Sequence, residues 1–206
     1  MPRTADPSSP AKRKLLDAAE RLMLEKGFTA TTVDDICAVA GLTKGSFFHY
    51  FENKDELGKA VLEHTTGKQL KMFETAPYAK LANPLERVFG RVDFIIQMSP
   101  KMFRNPDLRG GCLIGNLAQE LAYTHSDIRS QCADCLAEVS KGLELDLAAA
   151  KKKHAPKSSI DPHGLAELFV AIGQGSNILA KARQSETIVA ENMGHFRRYL
   201  QVLFKK

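Results

Sequence analysis

The chain has 206 residues, 44% of them apolar and 26% charged, with a net charge of +5 and four cysteines. That balance can bury a core, and no apolar run reaches the roughly 18 residues that a membrane-spanning helix needs. The first ten residues are polar and proline-rich, unlike a signal peptide, so a cytoplasmic protein with reduced thiols and no membrane partner is expected.

Helical spacing dominates the chain and little of it alternates with period two, which predicts an all-α fold of about nine helices. The first helix covers 11–26, with Leu15, Leu16, Ala19, Leu22 and Met23 on one face and Gly27 at its end. A second covers 33–39, with Ile36 and Val39 facing inward. A very short third covers 44–50, and a fourth starts after Asn53 and runs towards Glu74. Pro77 and Pro84 bracket a break before a fifth helix at 85–98. The stretch 99–111 holds two prolines and two glycines and reads as a loop. Helices are then expected over 112–123 and 126–153. Asp161 and Pro162 read as a cap and first turn, opening an eighth helix that reaches Arg183. A ninth covers 185–204. Residues 1–10 are expected to be a disordered tail, 11–57 a small N-terminal domain and 58–206 a larger helical domain.

The richest segment is 31–57. Thr32 can cap the second helix, with Asp35 at capping-box spacing. Gly41 permits a left-handed turn, Leu42 plugs the turn, and Thr43 caps the third helix. Two short helices across such a turn form a helix-turn-helix. The third helix opens on small, polar or basic residues, the end that recognition helices present to base edges. Phe47 and Phe51 should point inward. Phe48, His49 and Tyr50 then face out, and exposed aromatics imply a partner surface. Bulk charge does not carry this argument, since residues 1–62 hold nine Lys/Arg against nine Asp/Glu.

The string from Ala40 to Leu57, A-G-L-T-K-G-S-F-F-H-Y-F-x-x-K-x-x-L, placed after an amphipathic helix, strongly resembles the TetR family of transcriptional regulators. The resemblance runs without a gap from about Lys12 to Val61. It implies a repressor that binds a double-stranded DNA operator as a homodimer. By position, Thr43, Lys44, Gly45, Ser46 and Phe48 would approach bases, while Thr32, His49, Tyr50 and Lys54 would hold phosphates. Phe48 departs from the tyrosine common in the family, leaving apolar contact, as to a thymine methyl. Lys12, Arg13 and Lys14 read equally as DNA contacts or as a solvated helix start.

The resemblance also implies that the last two helices build a four-helix dimer seam, for which Leu168, Ile172, Gly175, Leu179, Phe196, Leu200 and Leu203 are candidates. The middle helices should enclose a small-molecule pocket. Phe73, Phe94, Met98, Met102, Phe103, Tyr123 and Phe169 are candidate walls, or simply core. Asn116, Gln119 and Glu120 are candidate polar contacts.

Cys112 opens a helix after Arg109, and both features lower a thiol pKa. The string R-G-G-C-L-I-G-N-L-A-Q-E resembles a branch of the family that includes the repressor of N-ethylmaleimide reductase, some of whose members respond to electrophiles or oxidants through a cysteine here. Cys112 is therefore either a sensor thiol or a small pocket residue. Cys132 and Cys135 lie one turn apart with no second ligand pair, so no metal is expected. With no phosphate-binding Gly loop, no H-E-x-x-H and no G-x-S-x-G, neither enzymatic chemistry nor a cofactor is expected.

Overall fold

The computed structural model describes residues 9–108 and 111–205. These residues form nine α-helices and no strand. They are α1 (Pro10–Lys26), α2 (Val33–Ala40), α3 (Lys44–Tyr50), α4 (Lys54–Thr75), α5 (Pro84–Arg104), α6 (Leu113–Leu121), α7 (Ser126–His154), α8 (Pro162–Arg183) and α9 (Ile188–Leu203), with a 3₁₀ turn at Pro77–Lys80. No described helix is long and apolar enough to cross a membrane. Arg109, and the tail expected at residues 1–10 apart from Ser9 and Pro10, lie outside the described residues.

Two compact units emerge, divided differently from the expected 11–57 and 58–206. The first is residues 1–67 with 112–135, and the second is 68–111 with 136–206. The N-terminal helices thus share a unit with α6 and the start of α7. Leu113, Ile114, Leu117 and Leu121 make α6 an apolar peg, and all four are buried. Burying one such side chain contributes about 1.5–3 kcal/mol, so a three-helix head that lacked α6 would forgo much of its core.

In the first unit α1 packs on α2, α3 and α6. Leu15, Ala19 and Met23 fall on its inner stripe and are buried with Ile36, Phe47 and Leu57. His64 Nε2 of α4 lies 2.8 Å from Asp17 Oδ1 of α1, with the Glu20 carboxylate beside them. Val39, expected to face inward, is 40% exposed. In an eight-residue helix anchored by Ile36 and Cys37, position 39 falls on the outer side.

In the second unit α9 packs against α5 and α8. Val88, Val92, Leu143, Leu147, Ala166, Phe169, Phe196 and Leu200 form its core. α5 runs six residues beyond the expected end, passing through Pro100 to Arg104. The proline removes one helix hydrogen bond, but Met102 and Phe103 are partly buried, and Arg104 pairs with Glu186 at 2.5 Å. These contacts hold the extension.

Candidate nucleic-acid interface

The helix-turn-helix is built by local capping. Thr32 accepts from Asp35 N while the Asp35 carboxylate accepts from Thr32 N, closing a capping box. Hydrogen bonds from Lys26 and Thr32 hold that carboxyl far below the usual range. Gly41 ends α2 at φ +64°, the left-handed region, and Leu42 N bonds back to Cys37 O. Thr43 then caps α3 by accepting from Ser46 N at 3.2 Å.

This wiring orients α3. Phe47 is fully buried and Phe51 nearly so, with ring centroids 5.7 Å apart. That forces Thr43, Lys44, Gly45 and His49 to the surface, with Ser46 partly exposed and Phe48 57% exposed. Lys44 Nζ lies 2.9 Å from Asp34 Oδ1, and both side chains are more than 60% exposed. A pair that open is weak, so it can exchange for a nucleic-acid contact at little cost. Tyr50 is half-buried, its hydroxyl 2.7 Å from Ser9 Oγ. Lys12 is partly covered, 5.7 Å from the Phe51 ring, whereas Arg13 and Lys14 are exposed.

Lys54 departs from expectation. Its ammonium donates to the carbonyls of Phe28 at 3.0 Å, Thr31 at 3.1 Å and Thr29 at 3.4 Å. It also sits 4.5 Å above the Phe28 ring. It ties the α1–α2 loop together rather than reaching outward. Glu120, expected as a ligand contact, grips the same loop from α6 by accepting from Phe28 N at 2.8 Å and Thr29 N at 2.7 Å. Burial alone would raise the Glu120 carboxyl. The hydrogen bonds from Thr29 and Phe28 and the nearby Lys54 outweigh it and hold the group below the usual carboxylate range. Gly27, at φ +85°, lets the chain pass here, since a Cβ would lie 2.9 Å from Glu120 Oε2. Further ties join α4 to the start of α7 through Lys59 with Asp127 and Gln131 with the Lys59 carbonyl. Sequence reading missed this clasp because the partners of Lys54 and Glu120 are backbone groups 23 to 92 residues away in sequence.

The candidate pocket residues divide between the units. In the first, Cys112 and Asn116 are partly buried and Gln119 is exposed. Tyr123 is fully exposed, because α6 ends at Leu121 and the ring follows a turn into solvent. It is no pocket wall. Cys112 sits at the N-cap of α6 with no side-chain cap bond. Burial, then the charges of Cys135 and Cys112, push the Cys132 thiol up to about 11. In the second unit Phe73 is buried, while Phe94, Met98, Met102 and Phe103 are half-buried. Phe169 packs on Phe196 at 5.9 Å inside the core, so it too is no pocket wall. A cleft of about 360 Å³ lies beside Phe89, Gly90 and Asp93 of α5 and Arg197 and Gln201 of α9, closed on one side by the Arg197–Asp93 pair at 2.6 Å.

The candidate seam also divides. Phe196 and Leu200 are monomer core, and Ile172 and Leu203 lean on that core. Leu168 and Leu179 are each 39% exposed. Gly175 is exposed, with no atom within 4 Å of where a Cβ would stand. They line up with Ala171, Ile178 and Ala182 as one outward stripe of α8, and Tyr199 and Val202 of α9 are exposed as well. α8 is apolar on its exposed as well as its buried face, and α9 exposes Tyr199 and Val202 among polar residues, so periodicity alone does not tell inner from outer.

The comparisons with known proteins agree with this geometry. Residues 15–61 match the family model described as bacterial regulatory proteins, tetR family, and residues 88–196 match that of the tetracyclin repressor-like C-terminal domain. The transcriptional regulator AcuR of Cereibacter sphaeroides is 29% identical over 180 residues, 87% of this chain and 80% of that protein. A solved TetR regulatory protein from Rhodobacter sphaeroides superposes with a TM-score of 0.79 at 28% identity, covering 92% of this chain and 98% of that one. The reduced form of Escherichia coli NemR gives 0.74 at 25% identity, with 91% and 96% covered. Head and C-terminal region together identify the chain as a member of the TetR family of transcriptional regulators.

Proposed function

We propose that this regulator represses transcription as a homodimer on a palindromic operator and is released by a small molecule or by modification of Cys112. One observation carries the reading. Burial of Phe47 and Phe51 turns the first residues of α3, with Lys44 and Phe48, to the surface. A short helix so presented fits the major groove. Thr43, Lys44, Gly45, Ser46 and Phe48 read bases, while Thr32, His49 and Tyr50 hold phosphates. Lys54 contributes indirectly, by fixing the loop before α2. The outward stripe of Leu168, Gly175 and Leu179 pairs with its symmetry mate, setting two half-sites about one turn apart or more.

The release step rests on the Glu120 and Lys54 clasp. A shift of α6 or α4 would pull the α1–α2 loop, and with it α3. An effector must favour the released arrangement, because one that binds both arrangements equally moves nothing. Cys112, partly exposed at the start of α6, is placed to report a covalent change through that helix. The reduced form named for the NemR relative supports a thiol response. The test is operator binding by fluorescence anisotropy, with and without an electrophile such as N-ethylmaleimide. Loss of binding in the native protein and retention in Cys112→Ser support the sensor. Release of Cys112→Ser as well leaves Cys112 a plain packing residue.

A further inference from the structure

Arg91 of α5 is buried, only 8% exposed. Its Nε has no hydrogen-bond partner among the described residues, and neither does the buried hydroxyl of Tyr78. Its guanidinium carbon lies 4.8 Å from the Phe73 ring centre and 5.4 Å from that of Tyr78. Asp146 is the carboxylate whose charge acts on it, and its Oδ1 already accepts from Arg87 Nε at 2.7 Å. Two guanidinium groups therefore share one carboxylate, which leaves one buried positive charge over.

A buried ion without a counter-ion is expensive, and two aromatic faces offset only part of the cost. The surrounding helices are nonetheless fitted to it. A Cβ on Gly142 of α7 would stand 2.9 Å from Arg91 Nη2, and one on Gly90 of α5 would stand 2.4 Å from Tyr78 Cβ. Glycine inside a helix is itself unfavourable. A leucine or methionine at 91 would fill the space without a counter-ion. The arrangement is costly for packing alone and makes sense for recognition.

We propose that Arg91, Tyr78 and Phe73 form the anion-binding end of an effector site for a small organic carboxylate. The guanidinium faces the two carboxylate oxygens, the Tyr78 hydroxyl donates a further bond, and the rest of the molecule lies along the Phe73 ring. Phe94, half-buried with its ring 5.8 Å from that of Tyr78, turns aside to admit it. The site rests on the reading of this chain as a ligand-released regulator and names the chemistry of that ligand.

The test uses the full-length protein with sodium benzoate and sodium butyrate, their neutral amides, and sodium chloride at matched ionic strength. Thermal midpoint reports binding, and anisotropy of operator DNA reports release. At least one carboxylate should raise the midpoint, by about 5 °C near saturation, while amides and chloride do not. Arg91→Met should abolish that rise yet melt no lower than the native protein without carboxylate. Arg91→Lys should retain part of the rise, which guards against a folding defect in the methionine variant. No carboxylate-specific rise, or an equal rise in Arg91→Met, overturns the proposal. A rise without DNA release supports the site and refutes only the release step of the regulatory reading.

Discussion

Replacing Lys54 by methionine separates two physical roles for the same cation. A methionine keeps most of the stem but removes the ammonium that serves the carbonyls of Phe28, Thr29 and Thr31. A single hydrogen bond to a charged group contributes about 1.5–3 kcal/mol net. Here three share one ammonium at a partly exposed position, where water replaces some of them, so a net loss of about 2 kcal/mol is the reasonable figure. For a chain of this length that lowers the melting midpoint by about 4–8 °C. The assay pairs thermal unfolding with operator affinity measured over a salt series. A loop clasp predicts a lower midpoint, weaker binding and an unchanged salt slope. A phosphate contact predicts an unchanged midpoint and a slope shallower by about 0.9. That second pattern would refute the clasp.

Other outcomes follow from the same geometry. Lys44→Ala should reduce discrimination against base changes in a half-site about tenfold, read by competition between matched and mutated operators. Loss of affinity equal on all sequences would contradict base reading. If Leu179 lies in the proposed dimer seam, Leu179→Glu should sediment as a folded monomer where the native protein sediments as a dimer, because that side chain is exposed rather than core. Cys112 should be alkylated by iodoacetamide at pH 8 at least about tenfold faster than Cys132, whose raised pKa leaves little thiolate. Mass spectrometry showing Cys132 labelled first would contradict this. The Glu120 carboxyl is held below its usual range, so its stabilisation is complete above the ordinary carboxylate pKa of about 4.3 and fades as pH falls through the folded value. The native midpoint should drop more steeply with acid than that of Glu120→Gln, and parallel curves would refute the linkage.

The sequence made the head legible because its constraints are local. Capping at Thr32 and Thr43, the turn at Gly41 and the spacing of Phe47 and Phe51 all act within a few residues of one another. The C-terminal assignments were harder. α8 carries apolar side chains on two faces and α9 exposes Tyr199 and Val202, and only three-dimensional packing shows that Phe196 and Leu200 point to the core while Leu168 and Leu179 point out. The roles of Lys54 and Glu120 were not legible, since their partners are backbone groups 23 to 92 residues away in sequence. The same is true of Arg91, which reads as an ordinary surface arginine until Phe73, Tyr78 and Gly142 close around it.

The central claim is that two copies of α3 enter successive major grooves. Selecting binding sites from random duplex DNA and mapping purine-methylation interference on the winners tests it directly. The account predicts an inverted repeat bound by one dimer, with major-groove guanine contacts clustered in two half-sites about one helical turn apart or more. Selected sequences without symmetry, or protection confined to the minor groove and phosphates, would contradict it.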